Sequence, residues 1–399
     1  METSLSRYGL NALNFFVAAV QTGFGPFISV YLTQAGWNQT DIGLALSVGT
    51  AAALISQLPG GWLVDLVHLK HNLTAVALAA ISCSARALAF APLGWIWGIE
   101  VVHSVASSVI TPAIAAMTLS LCGHARYSER LGFNARFAAI GNGAAAALMG
   151  ACAYYISQRA VFVTTAALVV PALVSLTMIR TADRLAPGTD HSSLLHPNDR
   201  DSRAWQVFHE PSLHVFAFCT ALFGLSNAAM LPLALNTLTL RTGGDTGFVV
   251  SASIVVPQIV AALASPWVGR MAQTIGRRPV MLAGFVALPI RALLFATSPG
   301  PEALVAIEVL DRAGATVFGL MLPMIAADLT QRSGYLNTAI GALGLGMTLG
   351  AMASTTLTGF VSDRFGAAEA FVGLAAVGAL GAVLLAVLMP ETRPAVAAA

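Results

Sequence analysis

Twelve runs of about twenty mostly apolar residues succeed one another along this 399-residue chain. A helix rising about 1.5 Å per residue crosses a hydrocarbon core of about 30 Å in that length. The runs lie near 9–32, 42–66, 72–92, 95–121, 131–155, 160–179, 212–238, 247–272, 279–298, 302–327, 334–361 and 367–389. Turn residues separate them, as in Ala91-Pro92-Leu93-Gly94 and Ser298-Pro299-Gly300-Pro301. Charged residues make up only 10% of the chain, whereas a soluble domain carries roughly 25%. Too few charges remain to cover a water-facing surface, which excludes an ordinary soluble enzyme, a disordered chain and a nucleic-acid binder. Backbone amides in lipid must be satisfied within the segment, so the expected fold is an all-α polytopic membrane protein with twelve transmembrane helices.

A single long polar stretch, Thr181–Gln206, divides the spans six and six. The predicted organisation is an N-terminal six-helix bundle over 1–180, a cytoplasmic linker over 181–207 and a C-terminal six-helix bundle over 208–399. With both termini in the cytoplasm, thirteen Lys and Arg fall on the cytoplasmic side and three on the other. The positive-inside rule therefore selects that orientation, in a cell inner membrane. Met1–Arg7 is short and polar, and the apolar run behind it is too long for a signal peptide, so it is read as the first span. Cys83, Cys122, Cys152 and Cys219 sit singly in apolar runs without metal-ligand spacing, so neither a disulfide framework nor a metal site is expected.

The halves resemble each other at an offset of about 205–208. Arg86-Ala-Leu-Ala-Phe-Ala91 reads like Arg291-Ala-Leu-Leu-Phe-Ala296, Ile99-Glu-Val-Val-His103 like Ile307-Glu-Val-Leu-Asp311, and Pro112-Ala-Ile-Ala-Ala116 like Pro323-Met-Ile-Ala-Ala327. Pro26 matches Pro232, and Pro59 matches Pro266. Parallel six-helix repeats form a transporter architecture. The loop after the second span, Gly61-Trp-Leu-Val-Asp65-Leu-Val-His68-Leu-Lys70, and its copy, Gly269-Arg-Met-Ala-Gln273-Thr-Ile-Gly276-Arg277-Arg278, are each partial versions of the sequence G-x-L-x-D-x-x-G-R-K/R. On these residues, and on the ending Pro390-Glu391-Thr392, the chain resembles the major facilitator superfamily. The resemblance implies two pseudo-symmetric bundles rocking about a central site. It also implies a cytoplasmic gate at Gly61, Asp65, Lys70, Gly269, Gly276, Arg277 and Arg278. Asp65 would hold basic side chains or a facing helix N-terminus in one conformation and release them in the other.

An ionisable group at mid-bilayer costs about 2.5–3.5 kcal/mol or more, so each embedded one needs a reason. Arg86 and Glu100 are predicted to lie at one depth on neighbouring helices, and so are Arg291 and Glu308. Two Arg–Glu pairs are expected, either as scaffold or with one glutamate carrying a proton. His103 and Asp311 stand one turn deeper on the same faces as the glutamates. Asp311, Glu308, Glu100 and His103 are therefore the proton-coupling candidates. Arg136 and Arg312 are both substrate-cavity candidates; pairing Arg312 with Asp311 leaves Arg136 over, either as a ligand for an anionic substrate group or as a cation snorkelling to the interface.

Neutral polar residues complete the candidate cavity: Asn14 and Gln21, with Asn11, on the first span, Asn227 on the seventh, Gln258 on the eighth and Asn337 on the eleventh. Helix–helix hydrogen bonding explains such residues equally well. Glycines 132, 141, 143 and 150 line the fifth span, but Ala145-Ala146 stands where antiporters of the family have Gly-Pro. The expected function is secondary transport of a small organic solute by alternating access, coupled to protons and directed outward. An importer of an organic anion and a transporter-like receptor are the alternatives. No catalytic constellation is visible, so the chain is not expected to be an enzyme. No cofactor or nucleic acid is expected; the partners are a small-molecule substrate, protons and the lipid bilayer, with the protein itself a monomer.

Overall fold

The computed structural model describes residues 4–24, 26–37, 39–67, 69–179, 210–242, 247–297, 300–331 and 333–392. The expected linker at 181–207 lies outside the described residues. Thirteen α-helices account for nearly all the described residues, and no strand occurs among them. They are α1 Ser4–Thr22, α2 Pro26–Gln34, α3 Gln39–Leu66, α4 Lys70–Phe90, α5 Ile96–Tyr155, α6 Gln158–Met178 and α7 Pro211–Asn227. The series continues with α8 Met230–Thr242, α9 Gly247–Thr274, α10 Arg277–Ala296, α11 Pro301–Leu329, α12 Leu336–Phe365 and α13 Ala367–Leu388. Among the described residues, nine helical stretches are long and apolar enough to cross a membrane. The other three expected runs correspond to α1 with α2, to α9 and to α11, the last carrying Glu302, Glu308, Asp311, Arg312 and Asp328. The chain is an all-α polytopic membrane protein.

Local chemistry sets the boundaries. Proline has no amide hydrogen to bond the carbonyl four residues back, and its ring crowds that carbonyl. Four residues before Pro26 is Thr22, where α1 ends; four before Pro232 is Ala228, in the break between α7 and α8. The first and seventh spans are therefore each broken in two, at matching places. The fourth and fifth spans run together as α5, which turns at Gly123, with φ 66°.

The chain separates into two compact units. Unit 1 comprises Met1–Leu195 with Gly334–Gly341; unit 2 comprises His196–Ser333 with Ala342–Ala399. In unit 1, α1 packs on α5 and α6, α3 on α5, and α4 on α5 and α6, around Leu10, Leu13, Leu78, Ile81, Ile110 and Phe162. In unit 2, α10 packs on α13 and α11, α9 on α11, and α7 on α13. None of the four cysteines forms a disulfide.

The helix registers correct one of the sequence matches. α4 begins at Lys70 and α10 at Arg277, an offset of 207. Their buried residues repeat at that offset: Thr74 with Met281, Ala77 with Gly284, Leu78 with Phe285, Ile81 with Leu288, Ala85 with Ala292 and Leu88 with Phe295. Arg291 thus corresponds to Ser84, and Arg86 to exposed Leu293. The likeness between the Arg86 and Arg291 segments is two residues out of step, about 200° around a helix. Glu100 and Glu308, by contrast, are true counterparts, both buried.

Close helix approach also repeats. A Cβ on Gly141 of α5 would collide with the carbonyl of Phe15 on α1, and one on Gly350 of α12 with the carbonyl of Ala221 on α7. Helices in lipid associate by this kind of tight packing at small residues. Gly350→Val should therefore cost roughly 1–3 kcal/mol through overpacking. In detergent it should lower the thermal unfolding midpoint. Gly359→Val, at a site where an added Cβ would meet nothing within 4 Å, should leave the midpoint near wild type.

Candidate functional site

The ion cluster of unit 2 begins with helix periodicity. Glu308 and Asp311 are three apart on α11 and so share a face. Arg291, on the neighbouring α10, reaches both. Its Nη2 donates to Glu308 Oε1 at 3.1 Å, and its Nη1 pairs with Asp311 Oδ1 and donates to Asn227 Oδ1 at 2.5 Å. Asn227 is the last residue of α7, beside the break, so three helices converge on one guanidinium. The side chains of Arg291 and Glu308 are only 2% and 3% exposed, but that of Asp311 is 17% exposed. The Phe295 ring lies 5.5 Å from the guanidinium carbon. Further along the same helices, Phe223 stacks on Phe318 at 3.9 Å, and Phe285 closes an aromatic group around them. Arg291 and Glu308 are almost wholly buried, so their charges depend on each other and on Asp311, with Arg312 also acting on Glu308.

Unit 1 differs at the corresponding place. Arg86 lies on an exposed stripe of α4 with Val76, Ala79, Cys83 and Phe90, and it forms no ion pair with Glu100. The expected first Arg–Glu pair is therefore not formed, because the arginine points from the opposite side of its helix. Glu100 is buried, and its Oε1 has no hydrogen-bond partner. His103, one turn on, stacks against Phe24 with centroids 3.7 Å apart, and its Nε2 lies 3.2 Å from Ser107 Oγ.

The remaining arginines also depart from expectation. Arg312 makes no ion pair with Asp311, whose partner is Arg291. Adjacent residues on a helix point about 100° apart, and the Arg312 Nε is buried without a partner. Arg136 is exposed on α5. Asn14 donates to the Leu10 carbonyl of its own helix at 2.8 Å, while Gln21 and Gln258 are half-buried. Asn11 accepts from Arg130 at 2.7 Å instead of lining a site by itself.

The loop residues are organised in both units. In unit 1 the Asp65 carboxylate caps the first turn of α12. Oδ1 accepts from the amide and side chain of Asn337 at 3.1 and 2.7 Å, and Oδ2 from the amide and hydroxyl of Thr338, both at 2.7 Å. Asn337 is thereby engaged with Asp65 rather than a solute. A carboxylate meets both the free amides and the positive end of the helix dipole there. Gly61 lies against the Asn337 backbone, and Lys70 opens α4. In unit 2, Gln273 has replaced the acid, and Glu391 does the capping. It accepts from the amides of Arg277 at 2.8 Å and Arg278 at 3.2 Å, at the start of α10 beside Gly276. Arg277 Nε donates to Asp328 at 3.0 Å, and Arg278 reaches the Ala386 carbonyl. Gly269 lies in the last turns of α9. Sequence reasoning missed Asp328 and the capping role of Glu391; the position of Glu391 in the Pro390-Glu391-Thr392 ending was the available signal.

A family model described as "MFS_1 like family" matches residues 8–321. The chain belongs to the major facilitator superfamily. An uncharacterized transporter of this superfamily from Mycobacterium tuberculosis is 34% identical over 388 residues, covering 96% of this chain and 93% of the relative. The fold is also that of the human organic anion transporter MFSD10, with TM-score 0.73 at 13% identity over 96% of this chain and 100% of that one. The Escherichia coli fucose:proton symporter superposes with TM-score 0.68 at 15% identity, over 95% and 97% of the two chains. This superfamily member is therefore a multi-pass membrane transporter, and its family is one of carriers, not enzymes.

Removing one partner of a buried ion cluster leaves an uncompensated charge, at a cost of about 3–5 kcal/mol, whereas replacing all partners by apolar groups is often neutral. Arg291→Leu should accordingly lower the unfolding midpoint markedly. The triple variant with Glu308→Leu and Asp311→Leu should regain most of the loss in the same thermal scan.

Proposed function

We propose that this carrier is a proton-coupled secondary transporter that moves a small organic solute out of the cell, from an inner membrane in which both termini face the cytoplasm. The observation that carries the reading is one arginine shared between two carboxylates in a largely buried site. Arg291 is the one cation bonded to the two carboxylates; Arg312 acts on Glu308 from a distance, without an ion pair. With Glu308 and Asp311 both ionised, two carboxylates share one bonded guanidinium, and binding a proton relieves the repulsion between them. Asp311, the more exposed of the two, is the side chain through which that proton enters and leaves. Arg291 can then turn wholly to Glu308. Outward transport suits this charge balance, since a site that holds a proton in one half-cycle and a solute in the other uses an inward proton gradient to drive export. The Asp65 clasp on the first turn of α12 takes the gate role that the family resemblance implies, and the distribution of arginines supports the orientation.

A solute can be found by thermal-shift screening of the purified protein against organic acids, sugars, amino acids and lipophilic cations. In proteoliposomes, that solute should move protons through the wild type. Asp311→Asn should reduce solute-driven proton movement at least tenfold while solute exchange continues. Proton movement equal to wild type in that variant would remove the assignment, and a protein that binds solute without moving it would be a receptor.

A second reading, import of an organic anion, is favoured by Arg136, which is exposed on α5 and has no acid on its helix within a turn. If Arg136 grips a carboxylate, Arg136→Ala should weaken acids by roughly 1.5–3 kcal/mol relative to neutral analogues. Lysine should rescue only in part, for want of the planar fork. Equal losses for both classes in equilibrium binding would assign Arg136 to the interface.

A further inference from the structure

The buried carboxylate of unit 1 has no use in the proton site of unit 2, and its surroundings are unlike those of its counterpart. Glu308 meets Arg291; at the place corresponding to Arg291, unit 1 has Ser84. Glu100 is 5% exposed, and its Oε1 has no hydrogen-bond partner. Around it stand Gly49 of α3, where an added Cβ would come within 3.2 Å of Ser104 Oγ and also meet Glu100 Oε2, and the stacked pair of His103 and Phe24.

The charged and titratable side chains on every helix packed against α5 can be followed in turn. Arg7 lies in the first turn of α1, Asp41 and Asp65 at opposite ends of α3, and Lys70 and His71 at the start of α4. Arg86 is on the exposed stripe of α4, and Arg159 is in the first turn of α6. On α5 itself, His124, Arg126, Glu129, Arg130 and Arg136 all lie beyond the turn at Gly123. His103 directs Nε2 to Ser107, on the side away from Glu100. None of them forms a hydrogen bond with Glu100 Oε1.

An ionised carboxylate in such a place requires a cation beside it. Among the described residues of unit 1 none pairs with it, which leaves a neutral group with a proton on it or a positive charge brought from outside the chain. We infer that Glu100 is the counter-ion for a cationic group of the substrate, and that proton and cation occupy it by turns. The inference rests on the transport reading above and names its substrate class: a monovalent organic cation with an apolar body. The parallel rings of Phe24 and His103, one turn from the carboxylate, offer the aromatic surface that such cations favour. The exchange balances as Glu100 carboxylic acid plus organic cation giving the carboxylate–cation pair plus one released proton. The break between α1 and α2 falls beside Phe24, so the ring stacked on His103 is carried on the interrupted stretch of its span.

The test uses the purified full-length protein and tetraphenylphosphonium, a cation with no proton of its own. Its isosteric anion, tetraphenylborate, is the control. Calorimetric titration in two buffers of different ionisation enthalpy reads both affinity and proton release. Wild type should bind the cation, release about one proton per cation at acid pH, and gain affinity up to roughly tenfold per pH unit as the medium becomes more alkaline. Glu100→Gln should weaken binding at least tenfold and remove its pH dependence. Gly49→Ala, which crowds the carboxylate without changing charge, should weaken binding while keeping proton release, and it serves if Glu100→Gln does not fold. Unchanged affinity in Glu100→Gln, or in Gly49→Ala where only that variant folds, overturns the inference. So does the absence of tetraphenylphosphonium binding to wild type at alkaline pH, or tighter binding of tetraphenylborate that is lost in Arg136→Ala. If cation binding ignores Glu100 while Asp311→Asn still abolishes proton movement, the transport reading stands and this assignment falls.

Discussion

A charge inside hydrocarbon must find its partner within the same fold or carry it in from outside, and the arrangement of this protein follows from how each half meets that demand. In unit 2 a single guanidinium binds two carboxylates and an amide contributed by three helices. The desolvation of each group is offset chiefly by the others, so the cluster ties α7, α10 and α11 together. In unit 1 the homologous carboxylate has Ser84 in place of the arginine, and its Oε1 has no hydrogen-bond partner among the described residues. The two halves share a fold and a glutamate, and they differ in countercharge.

Backbone chemistry gives this electrostatic asymmetry a symmetric frame. Breaks at Thr22–Pro26 and Asn227–Met230 fall where a proline denies the preceding turn its hydrogen bond, and they put chain interruptions beside Phe24 in one unit and Asn227 in the other. Glycines 141 and 350 bring equivalent helix pairs into near backbone contact. At the helix ends a carboxylate, Asp65 in one unit and Glu391 in the other, satisfies the free amides of a first turn. The second of these comes from a different part of the chain than the signature acid, since Gln273 stands at the signature position. The capping function is kept although the residue that performs it has moved.

The sequence was legible wherever the signal was local. Apolar runs at membrane length, the proline matches and the degenerate loop signatures all translate directly into helices, breaks and capped ends. Glu308 and Asp311 share a face because they are three apart, which needs no tertiary knowledge. The Arg86 match failed for an equally physical reason. Six similar letters in an apolar chain say little about helical phase, and a two-residue slip turns a side chain from the interior to the exterior. The Arg312–Asp311 pairing failed on the same ground: residues adjacent in sequence diverge around a helix, so adjacency does not bring their side chains together.

By itself, then, the amino-acid sequence determined the all-α membrane class, the doubled architecture, the family and the small set of buried charges, because each depends on composition, periodicity or adjacent residues. Only the tertiary structure decided which charges meet. Arg291 rather than Arg312 holds Asp311, Asn337 and Thr338 hold Asp65, and Glu100 Oε1 holds no partner among the described residues. Those choices depend on the rotation of each helix about its axis and on contacts between residues far apart along the chain, and neither is written in any one segment.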